Sequence, residues 1–80
     1  MKRRILRVRW VKSRGLWVVS GWLSAEYERK ADAVARATAE AHLAATLKDW
    51  KVQVVSHRKD GVIQWERTYP RSSDPRRSRG

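Results

Sequence analysis

The chain has 80 residues and carries 19 Lys and Arg against 8 Asp and Glu, a formal net charge of +11. A chain of this length forms one domain that buries ~60% of its unfolded surface, so one small core has to stabilise it. It has no cysteine, which excludes a disulfide framework, thiol catalysis and a thiolate metal site. No run approaches the ~18 apolar residues of a membrane span. No apolar h-region follows the basic N-terminus, so no secretion signal is expected and the cytoplasm is the default compartment.

Residues 5–11 (ILRVRWV) alternate, with Leu6, Val8 and Trp10 on one side and Ile5, Arg7, Arg9 and Val11 on the other. That is the period of a half-buried strand. Residues 12–15 (KSRG) are a turn in which Gly15 accepts a positive φ. Residues 16–22 form the return strand. Trp17 and Val19 are expected inward, and Leu16, Val18, Ser20 and Trp22 outward. Ser24 could cap a helix that starts at Ala25, or the second strand runs on to Tyr27 and the helix opens near Lys30. The later start is favoured, because Tyr27 then anchors the chain just before the helix.

Residues 30–47 (KADAVARATAEAHLAATL) carry the helical period. On a helical wheel, Ala33, Val34, Ala37, Ala41, Ala44 and Leu47 share a side, with the stems of Lys30 and Lys48 at its ends. Asp32, His42 and Thr46 fall opposite. An Ala face lets the helix come close to a sheet and leaves the bulk of the core to the sheet. The chain has five Trp for that purpose.

Val52, Val54 and Ser56 then alternate with Lys51, Gln53, Val55 and His57. Arg58-Lys59-Asp60-Gly61 is a hairpin signal, since Asp-Gly accepts positive φ at both turn residues. Residues 62–67 return, with Ile63 and Trp65 expected inward and Gln64 and Glu66 outward. From Pro70 on, PRSSDPRRSRG has no apolar residue but proline and reads as a flexible basic tail. The expected organisation is a single α+β domain over residues 1–69 and a tail over residues 70–80. Its order is β-β-α-β-β: one four-stranded, mostly antiparallel sheet with one helix packed on one face. The other face is left to water or to a partner.

Several of these segments together resemble a known family. Trp17-x-Val19, Lys30-Ala31-Asp32-Ala33 opening an Ala-rich helix, and Val52-x-Val54 are followed by His57-Arg58-Lys59-Asp60-Gly61-x-Ile63. Thr68-Tyr69 and Asp74-Pro75 come after. The pattern is similar to a family of small uncharacterised bacterial and phage proteins, a domain of unknown function. That family shares a G-W-x-V strand, a T-K-x-E-A helix start and a D-G hairpin followed by T-Y. The chain departs from it at Leu16, where the family prefers Gly, and at Arg29, where the family has its Thr cap. The resemblance implies the fold and brings no activity. A second resemblance is to the sheet-and-helix DNA-binding modules at the N-termini of some phage integrases, which read the major groove with a sheet face.

No catalytic constellation appears. His42 and His57 lie far apart without cysteines or a carboxylate cluster, so no metal site is expected. Ser13, Ser20, Ser24 and Ser56 sit in no nucleophile motif, and there is no glycine-rich phosphate loop, so no cofactor is expected. Glu26, Glu28 and Asp32 precede or open the helix, where acids serve its dipole. The chain reads as a binding protein and not an enzyme.

Charge points to the partner. Residues 1–14 hold seven Lys and Arg and no acid, while residues 25–50 hold four basic and five acidic groups. Residues 51–80 hold eight basic and three acidic groups. Both flanks are positive and the middle is neutral, as in a chain that meets a polyanion. The candidate phosphate-contacting residues are Arg3, Arg4, Arg7, Arg9, Lys12 and Arg14 in the first hairpin, Lys51 in the third strand, and Arg76 and Arg77 in the tail. Trp10, Trp17 and Trp65 are expected to fill the core. Trp22 and Trp50, at element ends, could stack on a base or pack on a partner.

The first functional reading is therefore a nucleic-acid-binding protein, for DNA rather than RNA, because the outward sheet positions lack paired aromatics. The second is a protein-binding module, such as a phage-encoded inhibitor or accessory factor docking on an acidic host protein. The outward Val11, Leu16, Val18 and Val55 would favour it. The third is a homodimer or larger homo-oligomer formed through the open sheet face or the edge strands.

Overall fold

A computed structural model describes residues 3–70. The elements run β1 (Arg3–Val11), β2 (Leu16–Ser20), β3 (Ser24–Tyr27), α1 (Lys30–Leu47), β4 (Lys51–His57) and β5 (Ile63–Tyr69). All of the expected tail after Pro70 lies outside the described residues.

The class is α+β with one helix on one sheet, but the sheet has five strands in the order β3-β2-β1-β4-β5. The pairs β1–β2, β2–β3 and β4–β5 are antiparallel, and β1–β4 is parallel. The sheet is mostly antiparallel, as expected, and its fifth strand and its one parallel pair have one cause. Ser24–Tyr27 is a strand of its own, pairing Val19 with Ala25 and Trp17 with Tyr27. That extra reversal sends the helix back the other way, so β4 emerges running with β1 instead of against it. The helix starts at Lys30, after the Tyr27 anchor.

The core lies between the helix and one face of the sheet. Ala33, Ala37, Ala41 and Ala44 meet Leu6, Val8, Trp17, Val19, Val52, Val54 and Tyr69. Trp10, Trp22, Tyr27, Val34, Trp50 and Trp65 pack around them, half-buried. Because the helix contributes only methyl groups, its axis can lie close over strands that carry large side chains.

Three expectations about side-chain direction are corrected. Leu47 is 76% exposed and does not extend the buried stripe, which ends at Ala44. The chain leaves the helix there: Lys48 and Trp50 both donate their N–H to the carbonyl of Ala44, with Asp49 left-handed at φ 54°. Trp50, brought back by that turn, packs on this end of the core instead. Ile63 and Gln64 also exchange sides. Ser56 pairs with Trp65 and His57 with Ile63, so Gln64 is the extra residue of a β-bulge. Ile63 therefore joins His57 on the uncovered face, while Gln64 accepts a hydrogen bond from the Lys30 ammonium. Trp22, expected outward, lies beyond the end of β2 and packs against the core.

Turn chemistry accounts for the hairpins. Gly15 has φ 64°, and its N–H and that of Arg14 reach the carbonyl of Val11. At the second hairpin only Gly61 is left-handed, at φ 90°. The turn closes as Gly61 N–H to Arg58 O and Arg58 N–H to Val62 O, wider than a two-residue Asp-Gly turn. The Asp60 carboxylate accepts from the Val62 N–H at 3.0 Å instead of taking part in a left-handed pair. Gly21 answers to a different need. A Cβ there would stand 2.7 Å from the carbonyl oxygen of Ile5 and from Leu6 Cδ2, so the chain crosses β1 only as glycine.

Candidate nucleic-acid interface

The uncovered face follows from the alternation of β1. With Leu6 and Val8 fully buried under the helix, Arg3, Ile5, Arg7, Arg9 and Val11 project on the other side. The parallel register then sets Lys51 beside Arg3, Gln53 beside Ile5 and Val55 beside Arg7. On the other flank of β1, Ser20 lies beside Arg7, Val18 beside Arg9 and Leu16 beside Val11. Val55 is 2% exposed although no helix covers it. Long Arg and Gln side chains on a flat sheet lay their apolar stems over such a neighbour and keep their heads in water.

The ion pairs among the described residues lie elsewhere. Among the described residues, Glu26 pairs with Arg14, Glu40 with Arg36 and Asp60 with Arg58. Glu66, across the sheet, accepts from the Gln53 amide. None of these ion pairs takes Arg3, Arg7, Arg9 or Lys51.

The candidate residues thus divide. Arg3, Arg7, Arg9 and Lys51 share the open face of the two central strands. Arg4 points to the helix side, with its guanidinium 5.0 Å from the centre of the Trp50 ring. Lys12 and Arg14 stand in the β1–β2 turn, and Arg14 is held at 2.7 Å by Glu26. Arg76 and Arg77 lie outside the described residues. Trp22 and Trp50 form an edge-on pair at 5.1 Å. The Lys48 ammonium sits 4.8 Å from the Trp50 ring on top of the Arg4 contact. Both rings are engaged within the domain.

At the C-terminal ends of β1 and β4 the face turns concave. Arg7, Arg9, Trp10, His57, Arg58 and Gly61 line a cleft of ≈ 380 Å³. His57 is buried at its floor, and Arg9, Arg58 and Gly61 are exposed around it. His57 Nδ1 lies 2.9 Å from the carbonyl oxygen of Gly61, and Nε2 lies 3.2 Å from Arg7 Nη1. A carbonyl can only accept, so Nδ1 carries the proton and Nε2 accepts from the Arg7 guanidinium. The imidazole therefore fixes the direction of Arg7.

The turn beside the cleft is electrostatically tied. Two interactions hold the Asp60 carboxyl below the ordinary aspartate range, first the Val62 N–H and then the Arg58 side chain. The Lys30 ammonium is held below the ordinary lysine range, by burial first and by the charge of Arg58 second. The positive field of the turn thus reaches the start of the helix.

Sequence reasoning singled out Arg7 and Arg9 but not His57 or Arg58 as their companions. His57 and Arg7 are 50 residues apart in the chain, and only the parallel β1–β4 register brings them together. The local signal, a histidine at a strand end before a hairpin turn, is too common to have found them.

Among the described residues there is no group of three His, Asp or Glu side chains placed to hold a metal ion, and no helix is long and apolar enough to cross a membrane. Fixed guanidiniums facing outward can bind and orient oxyanions. Compared with protein-family models, with curated proteins and with solved structures, the chain matches none.

Proposed function

We propose that the chain is a small non-enzymatic nucleic-acid-binding protein that lays the open face of β1 and β4 along a phosphate backbone. One observation carries the reading: Arg3, Arg7, Arg9 and Lys51 stand together on a face without an acidic partner among the described residues. Arg7 and Arg9 are ~7 Å apart along the strand, about twice the axial rise per phosphate of one DNA strand. From Arg3 to Arg9 the row spans ~20 Å. The face offers Arg, Ile, Val, Ser and Gln and no aromatic pair. That supports DNA over single-stranded RNA, and contact with phosphates over reading of bases. The resemblance to small bacterial and phage proteins is compatible with such a role in the cytoplasm.

The test is a salt titration against random-sequence duplex DNA, followed by fluorescence anisotropy. If five or six cations reach phosphates, log K falls against log salt with a slope of about −4.5 to −5.5. Replacing Arg7 and Arg9 together by Ser should reduce that slope by about two. It should cost the same on every sequence. Because Arg7 donates to the buried His57 ring, circular dichroism checks that the variant is folded at the temperature of the titration. Absence of binding at ~50 mM salt, or an unaltered slope in the double variant, would sink the reading.

One observation favours a second reading. Ile5 and Ile63 are 45% and 47% exposed on the same face, and Val11, Leu16 and Val18 elsewhere on it are half-buried. A basic face interspersed with apolar positions also fits an acidic protein, and that partner becomes the proposal if DNA fails to bind. A second copy of the chain on this face would show as concentration-dependent light scattering.

A further inference from the structure

We infer that the cleft at the C-terminal ends of β1 and β4 is a subsite for a phosphate monoester, held by Arg7, Arg9 and Arg58 above the buried ring of His57. For the source of that phosphate the inference rests on the nucleic-acid reading: the monoester is the terminal phosphate of a strand lying on the open face.

Three observations carry it. The first is shape. The row Arg3, Arg7, Arg9 runs along a flat sheet, but at its far end the β4–β5 turn borders a half-open cleft of ≈ 380 Å³, within the range of small-ligand sites. An internal phosphodiester would have to bend in and out of a concavity floored by His57, whereas a strand end enters from one side. The second is charge. Three guanidiniums stand against the single carboxylate of Asp60, which is paired to Arg58 at 2.8 Å, leaving a net +2. A phosphate monoester carries about −1.5 to −2 at pH 7, against −1 for each internal phosphate, so the cleft matches the end of a strand better than its middle. The third is preorganisation. Arg7 is not a free surface side chain, because His57 Nε2 accepts from it and Gly61 O fixes His57 in turn. A guanidinium held in place loses less freedom on binding a bidentate oxyanion than one that must first be ordered. His57 is a positioning residue here. Its buried nitrogen acts through Arg7.

The experiment compares one short duplex DNA oligonucleotide in three forms, with 5′-phosphates, 3′-phosphates or hydroxyl ends, by fluorescence anisotropy at fixed salt. At least one phosphorylated form should bind about tenfold tighter than the hydroxyl form. That ratio should fall to near one in Arg9→Gln and in Arg58→Gln, both exposed positions whose folding is checked by melting. An NMR titration of the parent with inorganic phosphate should shift the amides of residues 57–61 saturably, and Arg58→Gln should abolish the shift. If all three oligonucleotides bind equally, the subsite is overturned and the nucleic-acid reading stands. If none binds, that reading fails, and the titration decides the subsite: a saturable shift lost in Arg58→Gln keeps it for a free phosphate or nucleotide, and no shift overturns it.

Discussion

The two faces of the sheet carry comparable numbers of basic side chains and use them in opposite ways. On the helix side and around its rim, cations are taken up by tryptophan rings. Arg4 and Lys48 lie over Trp50, Lys30 over Trp17, Lys59 over Trp10 and Arg67 over Trp65, at 4.3 to 5.1 Å. Such contacts extend the apolar core outward and cover ring edges that the Ala helix is too thin to shield. On the open side, Arg3, Arg9 and Lys51 meet neither ring nor acid among the described residues, and Arg7 meets only His57. A formal charge of +11 therefore says little by itself about what is available to a partner. The division between the faces decides it, and residue parity along β1 makes that division.

The sharpest way to break this contrast is to remove a ring from the covered face. Trp17 is 7% exposed and packs at 5.3 Å against Trp10, beneath Lys30. Trp17→Ala should cost ~3–5 kcal/mol, much of the stability of so small a domain. Its melting temperature, read by circular dichroism, should fall by upward of ~12 °C. A variant that melts like the parent would mean the core lies elsewhere. The exposed open-face substitution Arg9→Ser should leave the same melt in place.

A smaller effect tests the closeness of the helix. Ala37 is fully buried, so Ala37→Leu should overpack the gap above the sheet and cost ~1–3 kcal/mol. Ala39, two residues on and exposed, should accept Leu within ~0.5 kcal/mol. Equal denaturation midpoints for the two variants would refute the Ala stripe.

The smallest change runs the other way. Asp49 holds the left-handed position at the helix end, φ 54°, where glycine is the favoured residue. Asp49→Gly should raise stability by up to ~1 kcal/mol. A lower melting temperature would mean that the carboxylate stabilises this end more than the backbone strain costs.

How much of this the sequence carried depended on whether the determinant was local. The facing of β1 was legible because Leu6, Val8 and Trp10 alternate with Ile5, Arg7 and Arg9 over a full strand. The helix and its Ala stripe were legible from period alone, up to Ala44. Ser24–Tyr27 was not, because a four-residue strand has too few positions to establish an alternation, and its pairing with β2 decides its conformation. Without it the chain lacks one reversal, and the parallel seam between β1 and β4 stays hidden. The side change of Ile63 came from one bulged residue, since a single insertion inverts a period of two. The cleft was the least legible part. Arg7 is placed by one strand, His57 by another and Arg58 by a turn, and no short motif records their meeting.

That parallel seam also governs how the chain can reach its native state. β1 is made first, yet its partner on one side begins only at Lys51. The meander of β1, β2 and β3 can form from local contacts, but it then presents Leu6, Val8, Trp17 and Val19 to water and an unpaired edge of β1 to any neighbour. Neither is covered until the helix and β4 arrive together. Closing a loop of that length costs entropy before any contact repays it. The pairing of β4 with β1 is thus the part of the sheet that local contacts do least to assemble. The face that carries Arg7 and His57 together exists only once that pairing is complete.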